Sequence, residues 1–175
     1  MRYIALLRGI NVGGNTMIKM ASLKGAFEKL GLENVATYIN SGNLAFDSRK
    51  TAEASLVNKI ETAIEDGFGM SVHVMIRMRD EINDVIGNNP FDGEFESHKE
   101  MHVLFLREPM PDDKAGELTA KNNENERFVV RGREIYCHLR RGVADSLLGK
   151  GFIDKKLKIA VTGRNWRTVH KLAEL

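Results

Sequence analysis

Three short polar stretches hold the residue types that could grip a ligand: Arg8–Gly14 (RGINVGG), Tyr38–Asn43 (YINSGN) and Thr162–Thr168 (TGRNWRT). Each sits at the edge of a predicted regular element, where backbone N–H groups and short side chains can converge on one bound group. An arginine beside such donors suits an anion, because the guanidinium supplies charge and a helix N-terminus adds its positive end. The candidate anion-binding residues are Arg8, Asn11, Gly13, Gly14, Asn15, Asn40, Ser41, Asn43, Arg164 and Asn165. The competing account is structural: the glycines satisfy turn geometry and the asparagines tie down their own loops.

The stretch Gly9–Gly14 has the glycine spacing of a nucleotide-phosphate loop, after a strand and before a helix. Asn15 stands where that loop needs its lysine, although Thr16 could mimic the hydroxyl that holds magnesium. The surrounding order of elements is also wrong for nucleotide hydrolysis, so only a looser phosphate cradle is expected. Other chemistry is thinner. His73, His98, His102, His138 and His170 form no zinc-protease pair, and a single cysteine, Cys137, excludes a cysteine-based zinc site or an intrachain disulfide. Ser41 lacks the strand-to-helix elbow of a hydrolase nucleophile. Asp112 and Asp113 read as acids at a helix start. No metal, cofactor or catalytic residue is assigned, and whether the chain is an enzyme is left open.

These 175 residues carry a net charge of +2, which hides an asymmetry. Residues 140–175 hold nine Lys/Arg against Asp145, Asp154 and Glu174, a balance of +6 that leaves −4 for the remainder. Such a basic stretch suits an anionic partner, or is a solvated face balancing an acidic body. The apolar run Tyr3–Leu7 is too short for a signal core or a membrane span, so a cytoplasmic protein with no membrane partner is expected.

The elements that must position the three stretches follow from periodicity. Strands are predicted at Tyr3–Leu7, Val35–Ile39, Leu44–Phe46 and Ser71–Arg77, and helices at Met20–Leu30 and Ala52–Ile64. A helix at Asp80–Gly87 and a turn-rich connector follow. Strands at Met101–Arg107, Arg127–Arg131 and Glu134–Leu139 and a helix from Pro111 to about Lys121 begin a second half. Asp145 is predicted to cap a helix carrying Leu147, Leu148, Ile153 and Leu157, before a strand at Ile159–Thr162 and a last helix capped by Asn165. The fold class is α+β with two subdomains: ferredoxin-like βαββαβ over 1–78, a helix and connector over 79–98, and a related βαββα(β) arrangement with a C-terminal helix over 99–175. In that topology the loop after the first strand, the turn between the second and third, and the lead-in to the fourth share one end of the sheet. Arg8–Asn15 and Asn40–Asn43 should therefore be neighbours.

The set YIALLRGINVGG (Tyr3–Gly14), IKMASL (Ile18–Leu23), YINSGN, NPF (Asn89–Phe91) and TGRNWRTVHKL (Thr162–Leu172) resembles the family called domain of unknown function 1697, over nearly the whole chain. The resemblance implies no activity, substrate or cofactor. In that family a lysine is common where Asn15 stands, and a basic Ser-Lys-Leu segment often lies near what is here Asp145–Leu148. The function expected from the residues is binding of a phosphate-bearing ligand, a nucleotide or nucleic acid, with Arg8 and Arg164 converging on it and Trp166 either stacking on a base or anchoring a core. The alternatives are a small metabolic enzyme acting on an anionic substrate between the subdomains, and a homodimeric interaction protein.

Overall fold

The computed structural model describes residues 1–12 and 17–175. Gly13, Gly14, Asn15 and Thr16 lie outside the described residues. The chain divides into two compact units, one of Met1–Asn83 with Lys171–Leu175 and one of Asp84–His170. The division falls inside the helix predicted at 80–87.

The first unit is built from β1 (Arg2–Leu7), α1 (Met20–Lys29), β2 (Glu33–Tyr38), β3 (Asn43–Asp47), α2 (Glu53–Phe68), β4 (Val74–Met78) and the start of α3 (Arg79–Gly87). Its four strands run in the order β2-β3-β1-β4, every pair antiparallel. This is the ferredoxin-like arrangement. Alternation along the strands sends Tyr3, Ala5, Leu7, Leu44, Phe46, Val74 and Ile76 into one core, where they meet Leu23 and Phe27 of α1 and Leu56, Ile60 and Ile64 of α2. Phe46 anchors that core, stacked on Tyr3 at 5.7 Å and edge-on to Phe27 at 5.7 Å. Burial on this scale supplies the driving force for the unit, at roughly 1.5–3 kcal/mol for each large apolar side chain.

The second unit holds the rest of α3, then β5 (Met101–Phe105), α4 (Asp112–Thr119), β6 (Glu126–Arg131), β7 (Glu134–Leu139), a π-helical turn at Phe152–Lys156, β8 (Thr162–Asn165) and most of α5 (Trp166–Glu174). Its strand order, β6-β7-β5-β8, repeats that of the first unit. The repeat reaches single residues. Arg77 sits opposite Ile4 on the edge strand β4, and Arg164 opposite Val103 on the equivalent strand β8. Both arginines are buried, 1% and 7% exposed, and each donates from Nη1 to the carbonyl of its preceding residue at 2.8 Å.

Three local readings are corrected. The helix expected from Asp145 does not form: residues 140–151 are coiled turns, and only Phe152–Lys156 is helical. Ser146 explains part of this, since its Oγ bonds to Val143 O at 2.7 Å and receives Gly149 N–H at 3.3 Å, competing with the helical pattern. Gly149 lies so close to the Val143 and Ala144 carbonyls that a Cβ would collide with both. Ile153 and Leu157 still reach the core, so the apolar spacing was sound while the helix was not. The last strand is Thr162–Asn165 instead of Ile159–Thr162, because Lys158 turns the chain with φ at 56° before it can pair. Finally, β2 stops at Tyr38, and Ile39 enters the turn in a left-handed conformation.

Candidate functional site

The rim expected at one end of the first unit's sheet is assembled from three loops. Leu7 N–H donates to Gly42 O at 2.8 Å, and Arg8 N–H donates to His73 O at 2.9 Å. These two bonds tie the end of β1 to the β2–β3 turn on one side and to the lead-in to β4 on the other. Asn11, with φ at 55°, clamps the loop that follows. Its Nδ2 donates to Asn40 O at 2.8 Å and Ile18 O at 3.0 Å, and its Oδ1 accepts from Ile18 N–H at 2.7 Å. One amide side chain therefore closes its own loop and joins it to the YINSGN turn.

That turn is equally fixed. Asn43 is fully buried and donates from Nδ2 to Tyr38 O at 3.1 Å and Ser41 Oγ at 3.0 Å. Gly42 holds φ at 76°, and a Cβ there would stand 2.8 Å from Leu7 Cβ and 2.9 Å from Ile10 Cδ1, so no other residue fits without moving β1. Arg8 is half-buried at the centre of the three loops, and Asn40 is exposed. Around them three large apolar side chains point to solvent: Val12 at 67%, Met17 at 71% and Ile39 at 51% exposure. The sequence reading had Ile39 in a strand and gave Val12 and Met17 no role. The signal available was apolar residues inside otherwise polar loops.

Arg164 and Asn165 lie in the second unit. Arg164 is a buried strand residue whose Nη1 donates to Thr162 Oγ1 at 2.7 Å, besides Gly163 O. Burial lowers its pKa to about 10, which leaves it charged at neutral pH. Asn165 accepts Thr168 N–H on Oδ1 at 2.9 Å, the expected cap of α5. Trp166 is half-buried, edge-on to Phe95 at 6.2 Å and His170 at 5.0 Å. Asn11, Asn43, Arg164 and Asn165 thus all bond to the fold itself, and Ser41 does so too through the bond its Oγ accepts from Asn43. Arg8, Asn40 and Ser41 lie on loops of the rim.

Other groups offer little chemistry. Cys137 is buried and its thiol pKa is pushed well up by burial, with Glu126 adding to the shift, so it is a poor nucleophile. Burial holds His102 down at about 4, helped by His98 nearby. Among the described residues no group of three or more His, Cys, Asp or Glu could hold a metal ion, and no helix is long and apolar enough to cross a membrane. A cavity of about 650 Å³ opens at the opposite end of the same sheet, beside Glu33, Asp47, Arg49 and Lys59. Two of its charged groups serve the fold: Lys59 Nζ donates to Leu30 O, and Asp47 accepts from Asn34 and Arg2, which lower its pKa.

A family model described as "Protein of unknown function (DUF1697)" matches residues 1–136. The chain belongs to this family. The match covers the residues of this chain's rim, whereas the TGRNWRT stretch lies beyond it. Among solved structures the chain is similar to the conserved bacterial protein SP0830 from Streptococcus pneumoniae, at 27% identity and a TM-score of 0.76, over 99% of this chain and 97% of that one. That likeness spans both units of this DUF1697 member. Among curated proteins nothing matches.

Proposed function

We propose that this protein is a binding module for a phosphate-bearing ligand, a nucleotide or a nucleic acid end, held at the rim of its first unit. The observation that carries the reading is a half-buried arginine, Arg8, at the point where three hydrogen-bonded loops converge. Loops pinned before the ligand arrives lose little entropy on binding it. In this reading Arg8 meets the phosphate, Asn40 and Ser41 offer polar contacts beside it, and the exposed Val12, Met17 and Ile39 offer apolar side chains against which a base can rest. A cytoplasmic setting belongs to the same reading, since the one thiol is buried and unpaired with another.

A thermal-shift screen against nucleotides, phosphorylated metabolites and short oligonucleotides tests this, because a ligand that binds only the native state must raise the melting temperature. Arg8→Ala should abolish the shift while leaving the unliganded melting temperature within a few degrees. Absence of any shift across the panel would contradict the reading. The exposed Val12, Met17 and Ile39 favour a second reading, a homodimer closing on the same rim. Sedimentation that stays monomeric at high concentration would dismiss it.

A further inference from the structure

Six of the nine Lys/Arg of residues 140–175 fall between 140 and 158, all in the second unit and apart in sequence from the rim. Arg140, Arg141, Lys150, Lys155, Lys156 and Lys158 are all exposed. None of the six forms an ion pair with a carboxylate among the described residues. Asp145 and Asp154 are the acids within the segment, and the nearby Glu126 is engaged, accepting Leu147 N–H at 2.8 Å.

These cations ride on a fixed scaffold. Arg140 N–H bonds to Asn125 O at 2.9 Å, Lys150 N–H to Ser146 O at 3.0 Å, Leu157 N–H to Phe152 O at 3.0 Å and Ile159 N–H to Ile153 O at 3.1 Å. Lys114 of α4 reaches across to Leu157 O at 2.6 Å, binding the segment to the body. Beside Arg141 a recess of about 200 Å³ is lined by Asn123 and Asn125 but also by Glu126 and Asp145, so phosphate contacts fall to the exposed cations around it and not to the recess itself. The segment also carries no exposed large apolar side chain: among the described residues those are Met1, Val12, Met17, Ile39 and Met78. A lipid surface would call for apolar insertion beside the charge, whereas a strand of phosphodiesters asks only for spaced cations.

We propose that the Arg140–Lys158 segment is a docking face for the phosphodiester backbone of a nucleic acid strand. The contacts are to phosphate and carry no sequence information. If about four of the six cations meet phosphates, affinity for duplex falls with salt at a log–log slope of about −3.6, and for a single strand at about −2.8. Between 50 and 200 mM salt that is a loss of roughly a hundredfold on duplex.

The test is fluorescence anisotropy of labelled 20-nucleotide RNA, single-stranded DNA and duplex DNA against the full chain, with phosphatidylserine vesicles in a parallel arm. The comparison is with a variant carrying Arg140→Gln, Arg141→Gln, Lys155→Gln and Lys156→Gln, checked for an unchanged melting temperature. The inference expects oligonucleotide binding at low salt that the fourfold variant weakens more than tenfold, with a shallower salt slope. The RNA and DNA arms tell which strand is preferred. No oligonucleotide binding at low salt would overturn it, and so would vesicle binding that the variant loses while oligonucleotides fail to bind. Arg8→Ala separates the two sites: if it abolishes oligonucleotide binding while the fourfold variant binds normally, this inference falls and the rim reading stands.

Discussion

A β-branched side chain crowds its own backbone in the left-handed conformation, at a cost of about 1–2 kcal/mol, yet Ile39 holds φ at 48° with its side chain half in solvent. No burial offsets that strain, and strain retained without packing is characteristic of ligand-binding turns. Replacing Ile39 with Asn, which tolerates this conformation, should stabilise the protein by about 1 kcal/mol in urea unfolding while weakening the rim's ligand. Unchanged affinity in the stabilised variant would remove Ile39 from the site. His102 gives a pH signature. Its folded pKa of about 4 lies below the ordinary 6.5, so the unfolded chain takes up the proton first as pH falls. The stability it contributes is present above pH 6.5 and is lost as pH falls from there to 4, by roughly 3 kcal/mol. His102→Gln should flatten that part of the profile of unfolding free energy against pH; a profile unchanged by the substitution would show that other groups set the acid limb.

Secondary elements divide into those that local pattern decides and those that side chains override. Helix α1 was legible because Leu23 and Phe27 repeat at helical spacing, and both are buried. The hairpin of β6 and β7 was legible because Gly132 interrupts two alternating runs, and it takes φ at 58° there. The segment from Asp145 to Leu157 was not, because its apolar spacing satisfies a helix while Ser146 and Gly149 hold the backbone in turns. That account makes Gly149 the decisive residue. Gly149→Ala should destabilise the protein by about 2–4 kcal/mol, since the methyl group collides with backbone carbonyls that cannot move freely. A loss no greater than that of an exposed helical Gly→Ala change would show that the turn is free to rearrange.

Across the whole chain, both units repeat one βαββαβ frame, down to the buried arginines Arg77 and Arg164 on equivalent edge strands. The frame was legible from the order of strands and helices, and it fixed which loops share an end of the first sheet. The candidate site was legible to the same extent: topology brought Arg8, Asn11 and Asn40–Asn43 together, as the bond from Asn11 to Asn40 shows. Which of those side chains bond to the fold and which stay open at the rim was not legible, because Asn is the residue of choice for turns as well as for polar contacts. The repeat did not extend the site, since Arg164 is a strand residue engaged with Thr162 and Gly163.

The most direct measurement of the central claim is a backbone-amide NMR titration with the nucleotide or phosphorylated compound that gives the largest thermal shift. The account predicts saturable shift changes concentrated at residues 8–12, 39–43 and 71–73, absent in Arg8→Ala. Changes confined to the second unit, or to the cavity beside Arg49 and Lys59, with the rim amides unmoved, would contradict it.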